Sequence, residues 1–133
     1  MTNFAAFEKW APYKLALMRI VAALLFLEHG TSKLLGFPHP AMAQPALFSL
    51  LGVQGVIEIV GGLLVLIGLW TRPVAFILAG DMAFAYFMAH FPKSFFPMLN
   101  GGDAAVLFCF VFLYLSCRGA GPLSLDGKGQ GTS

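Results

Sequence analysis

The sequence predicts an all-α fold: an antiparallel bundle of four transmembrane helices, preceded by a short interfacial helix. Three observations carry this. Hydrophobic residues make up 59% of the 133-residue chain and charged residues 11%, and the mean hydropathy is +0.82. Long apolar runs recur between turn signals, at a length of about 20 residues that suits a helix crossing the hydrocarbon. Open strands cannot span lipid, because their backbone groups would have no partners. A length of 133 residues suits one domain.

Residues 1–13 carry Phe4, Phe7, Trp10 and Tyr13 at a spacing of three, one stripe of a helix. Trp and Tyr favour the membrane–water boundary, so this segment reads as a helix lying on the cytoplasmic leaflet. Pro12 is expected to separate it from the first span, 14–36. That span could be mistaken for a signal peptide. Arg19 interrupts it, Glu28 and Lys33 follow, and no small-x-small site closes it, so it reads as a retained helix. The next loop holds Pro38, Pro40 and Pro45 and cannot be a helix interior.

The second span, 46–70, is 25 residues with a single charge, Glu58. The third, 73–90, is 18 residues with a single charge, Asp81. Only Thr71 and Arg72 separate the two spans, so they form an antiparallel hairpin with Pro73 at a first helical position. The connection 91–100 is too apolar for a free loop and is expected to lie in the outer interface or fold over the bundle mouth. The fourth span is 99–118. The Gly-rich tail after Arg118 is expected to be mobile beyond Asp126.

A net charge of +2 with no basic run excludes a nucleic-acid partner as a reading. The basic residues inform by position instead. Lys9, Lys14, Arg72, Arg118 and Lys128 fall on one side of a four-span chain, while Lys33 and Lys93 fall towards the other. The positive-inside rule then puts both termini in the cytoplasm of a bacterial-type inner membrane. Cys109 and Cys117, eight residues apart on one helix, would sit about 12 Å apart by helical rise, too far for a bridge.

Ionisable groups within apolar spans carry the functional argument, since each costs a few kcal/mol unless it pairs, lines a cavity or meets a partner. Arg19, Glu58 and Asp81 are such groups. Hairpin geometry brings the two carboxyls to similar depth. With Arg72 they form a candidate buried Arg–carboxylate network. A ligand could join it, or it could simply pin helices together. Towards the outer rim lie Glu28, His29, Lys33, His90, Asn100 and Asp103, a candidate vestibule. On the first span Arg19, Phe26, Gly30 and Lys33 share one face, within about 40° at 100° per residue, and Glu28 falls opposite Arg19. The histidines lack E-x-x-H or H-x-x-x-H spacing, so no metal site is expected. Gly55 and Gly62 share Glu58's face, where small residues permit close helix contact. No nucleophile–base pair, phosphate loop, haem attachment or flavin fingerprint is present, so catalytic residues remain unassigned and any electron carrier must be a ligand or another subunit.

Over nearly its whole length the chain resembles the DoxX family of membrane proteins. The matching stretches are Arg19 to Phe37, Gly55-Val-Ile-Glu58-Ile-Val-Gly-Gly, Gly68-Leu-Trp-Thr-Arg-Pro73, Met82 to Ala85, Asn100-Gly-Gly-Asp103 and Gly119-Ala-Gly-Pro-Leu-Ser-Leu-Asp126. The resemblance implies a four-helix membrane bundle. A related branch supplies a membrane subunit of thiosulfate:quinone oxidoreductase, and other members are described with membrane redox systems. Arg19, Lys33, Glu58, Arg72 and Asn100 match the family's recurrent polar positions; Asp103 stands where Glu is more usual. The expectation is an accessory or quinone-site component of a membrane redox assembly, with no intrinsic cofactor and a quinone as candidate ligand. Redox subunits and further copies of the chain are the candidate partners besides lipid. The alternatives are a small-solute carrier acting as an oligomer, suited by midplane ionisable groups, and a non-catalytic structural membrane subunit.

Overall fold

The computed structural model describes residues 4–39 and 47–129. Pro40 and Pro45 of the proline-rich loop and the expected start of the second span at Ala46 lie outside the described residues, as does the end of the tail, 130–133. The described chain is all-helical: α1 (Ala5–Glu8), α2 (Ala11–Leu34), α3 (Leu50–Ile67), α4 (Thr71–Ala85), α5 (Pro97–Asn100), α6 (Asp103–Arg118) and α7 (Leu125–Gly129). A wider π turn, Tyr86–His90, and a 3₁₀ turn, Phe91–Lys93, extend α4. Among the described residues, two helical stretches are long and apolar enough to cross a membrane, Leu50–Ile67 and Thr71–Lys93.

Helix ends follow local chemistry, and they correct several expected boundaries. Pro12 is the second residue of α2 rather than a breaker, because a first-turn residue has no intrahelical use for the missing N–H. α3 starts where Ser49 Oγ accepts from the Gly52 amide at 3.1 Å. It stops at Gly68, whose φ of 70° makes the left-handed cap a β-carbon would strain. The expected fourth span is divided. Gly101, at φ 75°, ends α5 and forces a new start at Asp103. The 16-residue α6 is thus about 24 Å long. The expected mobile stretch beyond Asp126 is helical as far as Gly129.

α2 packs chiefly on α3, and α4 chiefly on α6; α3 also meets α4. The face that α2 buries runs through Arg19, Phe26 and Gly30, the face the sequence predicts. Phe26 meets Phe112 edge-on at 4.9 Å between ring centroids and Phe108 at 5.7 Å. Val65, Leu78, Met82 and Leu115 complete that core. Small residues set the α2–α3 distance. A β-carbon on Gly30 would lie 2.9 Å from Ile59 Cγ1, 3.0 Å from Glu58 Cβ and 3.1 Å from the Gly55 carbonyl oxygen. Gly55 and Gly62 likewise receive Leu34 and Leu27. Because a backbone oxygen cannot swing aside, Gly30→Val is expected to destabilise the chain by about 1–3 kcal/mol, read as an earlier unfolding midpoint in an SDS titration. An unchanged midpoint would mean the helices have slack there.

The polarity of the fold is inverted relative to a water-soluble domain. Leu17, Leu24, Phe76, Ile77, Leu107 and Phe110 are exposed, while Arg19, Glu58 and Thr71 are fully buried. Such a surface suits a hydrocarbon solvent, and the interior keeps the polar groups away from it.

Candidate functional site

Arg19 does not join the carboxylates. Its five N–H donors go to backbone carbonyls: Nε to Ala120 at 3.0 Å, Nη1 to Val65 and Leu66 at 2.8 and 2.6 Å, and Nη2 to Pro122 and Leu123 at 3.3 and 2.8 Å. Val65 and Leu66 end α3, where the helix dipole is negative; the Val65 carbonyl also accepts from the Gly68 cap amide at 3.1 Å. Arg19 is therefore a rivet between α2, the end of α3 and the segment after α6. Arg72, also expected in the network, does the same for α6, donating to the Cys117 and Arg118 carbonyls. The expected Arg–carboxylate network is thus corrected. Each guanidinium meets a cluster of carbonyls at helix ends and in connecting segments, and fork-shaped donors serve several of these at once.

Glu58 pairs with Lys33 instead. Nζ reaches Oε1 at 2.7 Å, with Glu58 fully buried and the Lys33 side chain 23% exposed. Lys33 sits in the last turn of α2 and turns inward rather than to the outer rim. Gln54 lies one turn before Glu58 on α3, hence on its face. Asp81 of α4 stands within electrostatic reach of Glu58, Gln54 and Lys33. Three buried atoms in this cluster, Gln54 Nε2, Glu58 Oε2 and Asp81 Oδ2, make no well-formed hydrogen bond, although the amide and the two carboxyls stand within reach of one another. Each orphaned group costs roughly 1–3 kcal/mol, more if charged. The cluster therefore offers one amide donor and two carboxyl oxygens beside a single ammonium.

The cluster opens sideways. A groove of about 210 Å³ between α3 and α4 has Gln54 and Asp81 in its lining. Its other walls are Leu50, Val53, Ile57, Ile77 and Phe84. Apart from Ile57, these are exposed on the outer face. Pockets that enclose a drug-sized ligand run to about 300–1,000 Å³. This one takes a single ring or small headgroup, with the remainder of a ligand outside. A second groove, about 320 Å³ between α2 and α6, is lined only by apolar side chains.

The expected outer vestibule does not form as one site. Lys33 belongs to the Glu58 pair. Asn100 is buried and fully used: Nδ2 donates to Tyr86 Oη at 3.2 Å and the Ser94 carbonyl at 2.9 Å, and Oδ1 accepts from the Gly102 amide at 2.8 Å. His90 Nδ1 lies 3.1 Å from the Asn100 carbonyl and its ring stacks on Tyr86. These residues fold the apolar 91–102 connection over the end of α4. Glu28, His29 and Asp103 are exposed; His29 sets its ring edge-on to Phe108. Among the described residues no three His, Cys, Asp or Glu side chains converge as a metal cage needs.

Two functional-looking residues escape a reading of the sequence, Gln54 and Asp126. Asp126 accepts from the Trp70 amide on Oδ1 and the Thr71 amide on Oδ2, both at 2.9 Å, so it caps α4 from a distant segment. Trp70 has a left-handed φ of 52°, a cost of about 1–2 kcal/mol without glycine, which these bonds offset. Burial alone would raise the Asp126 carboxyl. The Thr71 and Trp70 donors and the Arg19 charge outweigh it and hold the carboxyl below its ordinary value of 3.8. A depressed folded pKa makes the contribution complete above the unfolded value and progressively lost as pH falls through the folded one. Wild type is therefore expected to lose stability below about pH 4. Asp126→Asn should lack that acid step and start about 1 kcal/mol lower at pH 7. Thermal melts from pH 3 to 7 read both, and an identical acid step in the variant would exclude Asp126 as its source.

The DoxX family model matches residues 14–91, more than half of the chain. A protein of Haemophilus influenzae that bears the name "Uncharacterized protein" is 47% identical over 130 residues, covering 91% of this chain and 94% of that protein. No solved structure matches the chain. The matched segment holds Arg19, Lys33, Gln54, Glu58 and Asp81 together, and with that relative it establishes that the chain belongs to the DoxX family.

Proposed function

We propose that this DoxX protein crosses a bacterial inner membrane four times, through α2, α3, α4 and α6, with both termini in the cytoplasm. The apolar exterior supports this. So does the gathering of Lys9, Lys14, Arg72, Arg118 and Lys128 on the side of the chain termini. Within that frame the Lys33–Glu58–Asp81–Gln54 cluster is a binding site for a lipid-soluble molecule with hydrogen-bonding oxygens, and a quinone of a membrane redox assembly is the ligand that fits best. One observation carries the reading: Gln54 and Asp81 line a groove whose remaining walls are apolar and outward-facing, with the Gln54 Nε2 and Asp81 Oδ2 atoms buried just behind its surface. A ring carbonyl can accept from the Gln54 amide, while a ring hydroxyl can donate to Asp81 or Glu58. The isoprenoid tail stays in lipid. The chain carries no redox group of its own motif, so electrons come from a partner subunit.

Photolabelling with an azido-quinone in nanodiscs tests this. Saturable labelling is expected on α3 and α4, around Gln54 and Asp81. Gln54→Leu and Asp81→Leu should each weaken it about tenfold, the effect of losing one hydrogen bond near a charge. Glu58→Gln should abolish it. Labelling that maps elsewhere, or that survives all three substitutions, would sink the quinone reading.

A further inference from the structure

The end of the bundle opposite Lys33 holds a larger cavity, of about 500 Å³, a size that accommodates a complete headgroup. Pro12 and Leu15 of α2 form one wall; the others come from the start of α4 and the segment after α6. Its charged lining groups are Arg72, Arg118 and Asp126. The two arginines and one carboxylate sum to +1. Asp126 turns both oxygens to the Trp70 and Thr71 amides, so its charge is committed to the start of α4. Arg72 spends Nη1 and Nη2 on carbonyls and keeps Nε. Arg118 is exposed, and its guanidinium has no hydrogen-bond or ion-pair partner among the described residues. Thr71 is fully buried in the cavity lining, beside the Asp126 carboxylate. Trp70 stands at the rim, 63% exposed, as aromatic rings do at headgroup depth.

We infer that this cavity binds the phosphate of an anionic phospholipid headgroup, held by Arg118 and Arg72 Nε. Donors without acceptors and a surplus of positive charge are what a phosphate oxygen set complements. Basic pockets between helices on the cytoplasmic side are where such headgroups lodge. The inference rests on the membrane placement proposed above but not on the quinone reading, since the two sites lie at opposite ends and are read by different probes.

The test is native mass spectrometry of the delipidated protein, titrated with phosphatidylglycerol, with phosphatidylcholine, and with phosphatidylglycerol in the presence of inorganic phosphate. One saturable phosphatidylglycerol site is expected, with phosphatidylcholine binding more weakly. Arg118→Gln should lower its affinity about fivefold, the effect of one cation near a charged surface, and Arg118→Glu should abolish it. Because the Arg118 side chain makes no hydrogen bond or ion pair among the described residues, both variants should melt like wild type. Lys93→Gln, the same charge loss at the other end, should bind normally. Displacement by inorganic phosphate would identify the phosphate itself as the recognised group and admit a soluble source; retention of the lipid would identify the lipid. Affinity unchanged in Arg118→Glu, or reduced equally by Lys93→Gln, would overturn the site.

Discussion

Replacing Arg19 with methionine is expected to abolish the stable fold, with a loss of about 4 kcal/mol or more. The loss follows from the number of partners. Methionine keeps the length and apolar stem but removes every donor, which takes a partner from the carbonyls of Ala120, Val65, Leu66, Pro122 and Leu123 and leaves Val65 with only the Gly68 amide. Two of these belong to the end of α3, and the others hold the segment that brings Asp126 to the start of α4. The loss therefore spreads from one side chain to the closure of the whole basic end. Arg19→Lys is the informative companion. It keeps the charge but has only three donors on one atom, so it cannot serve carbonyls spread on both sides of a planar fork. It should recover less than half of the loss. A fluorescence-detected size-exclusion melt reads both variants. If Arg19→Met melts with wild type, the rivet is unimportant and the carbonyls find other partners.

How legible this is in the sequence depends on what each residue pairs with. The face of α2 through Arg19, Phe26 and Gly30 follows from periodicity, because burial repeats with the helix. Gly55 and Gly62 as contact points follow from their spacing around Glu58. Arg19's partners cannot be read, because backbone carbonyls exist at every residue and carry no signature. The same holds for Asn100, whose amide is consumed by the Ser94 carbonyl and the Gly102 amide as well as by Tyr86. Lys33 departs from expectation for a different reason. Its position in the last turn of α2 suggests snorkelling outward, but the same flexible stem can turn inward when a carboxylate waits one helix away. Asp126 escapes because its capping target, the start of α4, lies 55 residues away in sequence, and only the closed fold brings the two together.

The Lys33–Glu58 pair gives the second large effect, and its sign separates a structural pair from a functional one. Lys33→Met leaves a fully buried carboxylate without its ion-pair partner, beside Asp81 of like charge. Breaking such a pair from one side costs about 3–5 kcal/mol. The 23% exposure of the Lys33 side chain places this case near the lower end of that range. Removing both partners, as Lys33→Met with Glu58→Met, removes the buried charge as well, and stability should return to within about 1 kcal/mol of wild type. Coupling measured by this double-mutant cycle is expected to be at least about 2 kcal/mol; additive single effects would mean the 2.7 Å contact contributes little in the membrane. The double variant also sharpens the functional question. It should fold yet bind no quinone, because the Glu58 carboxyl that stands behind Gln54 and Asp81 in the cluster is gone. A protein that needs the pair only for packing would instead bind normally once stability is restored. Folding and ligand binding thus part company in one comparison of the same two side chains. The buried charge is at once the largest stability liability of the cluster and its most specific recognition element, so removing it with its partner should spare the first property and erase the second.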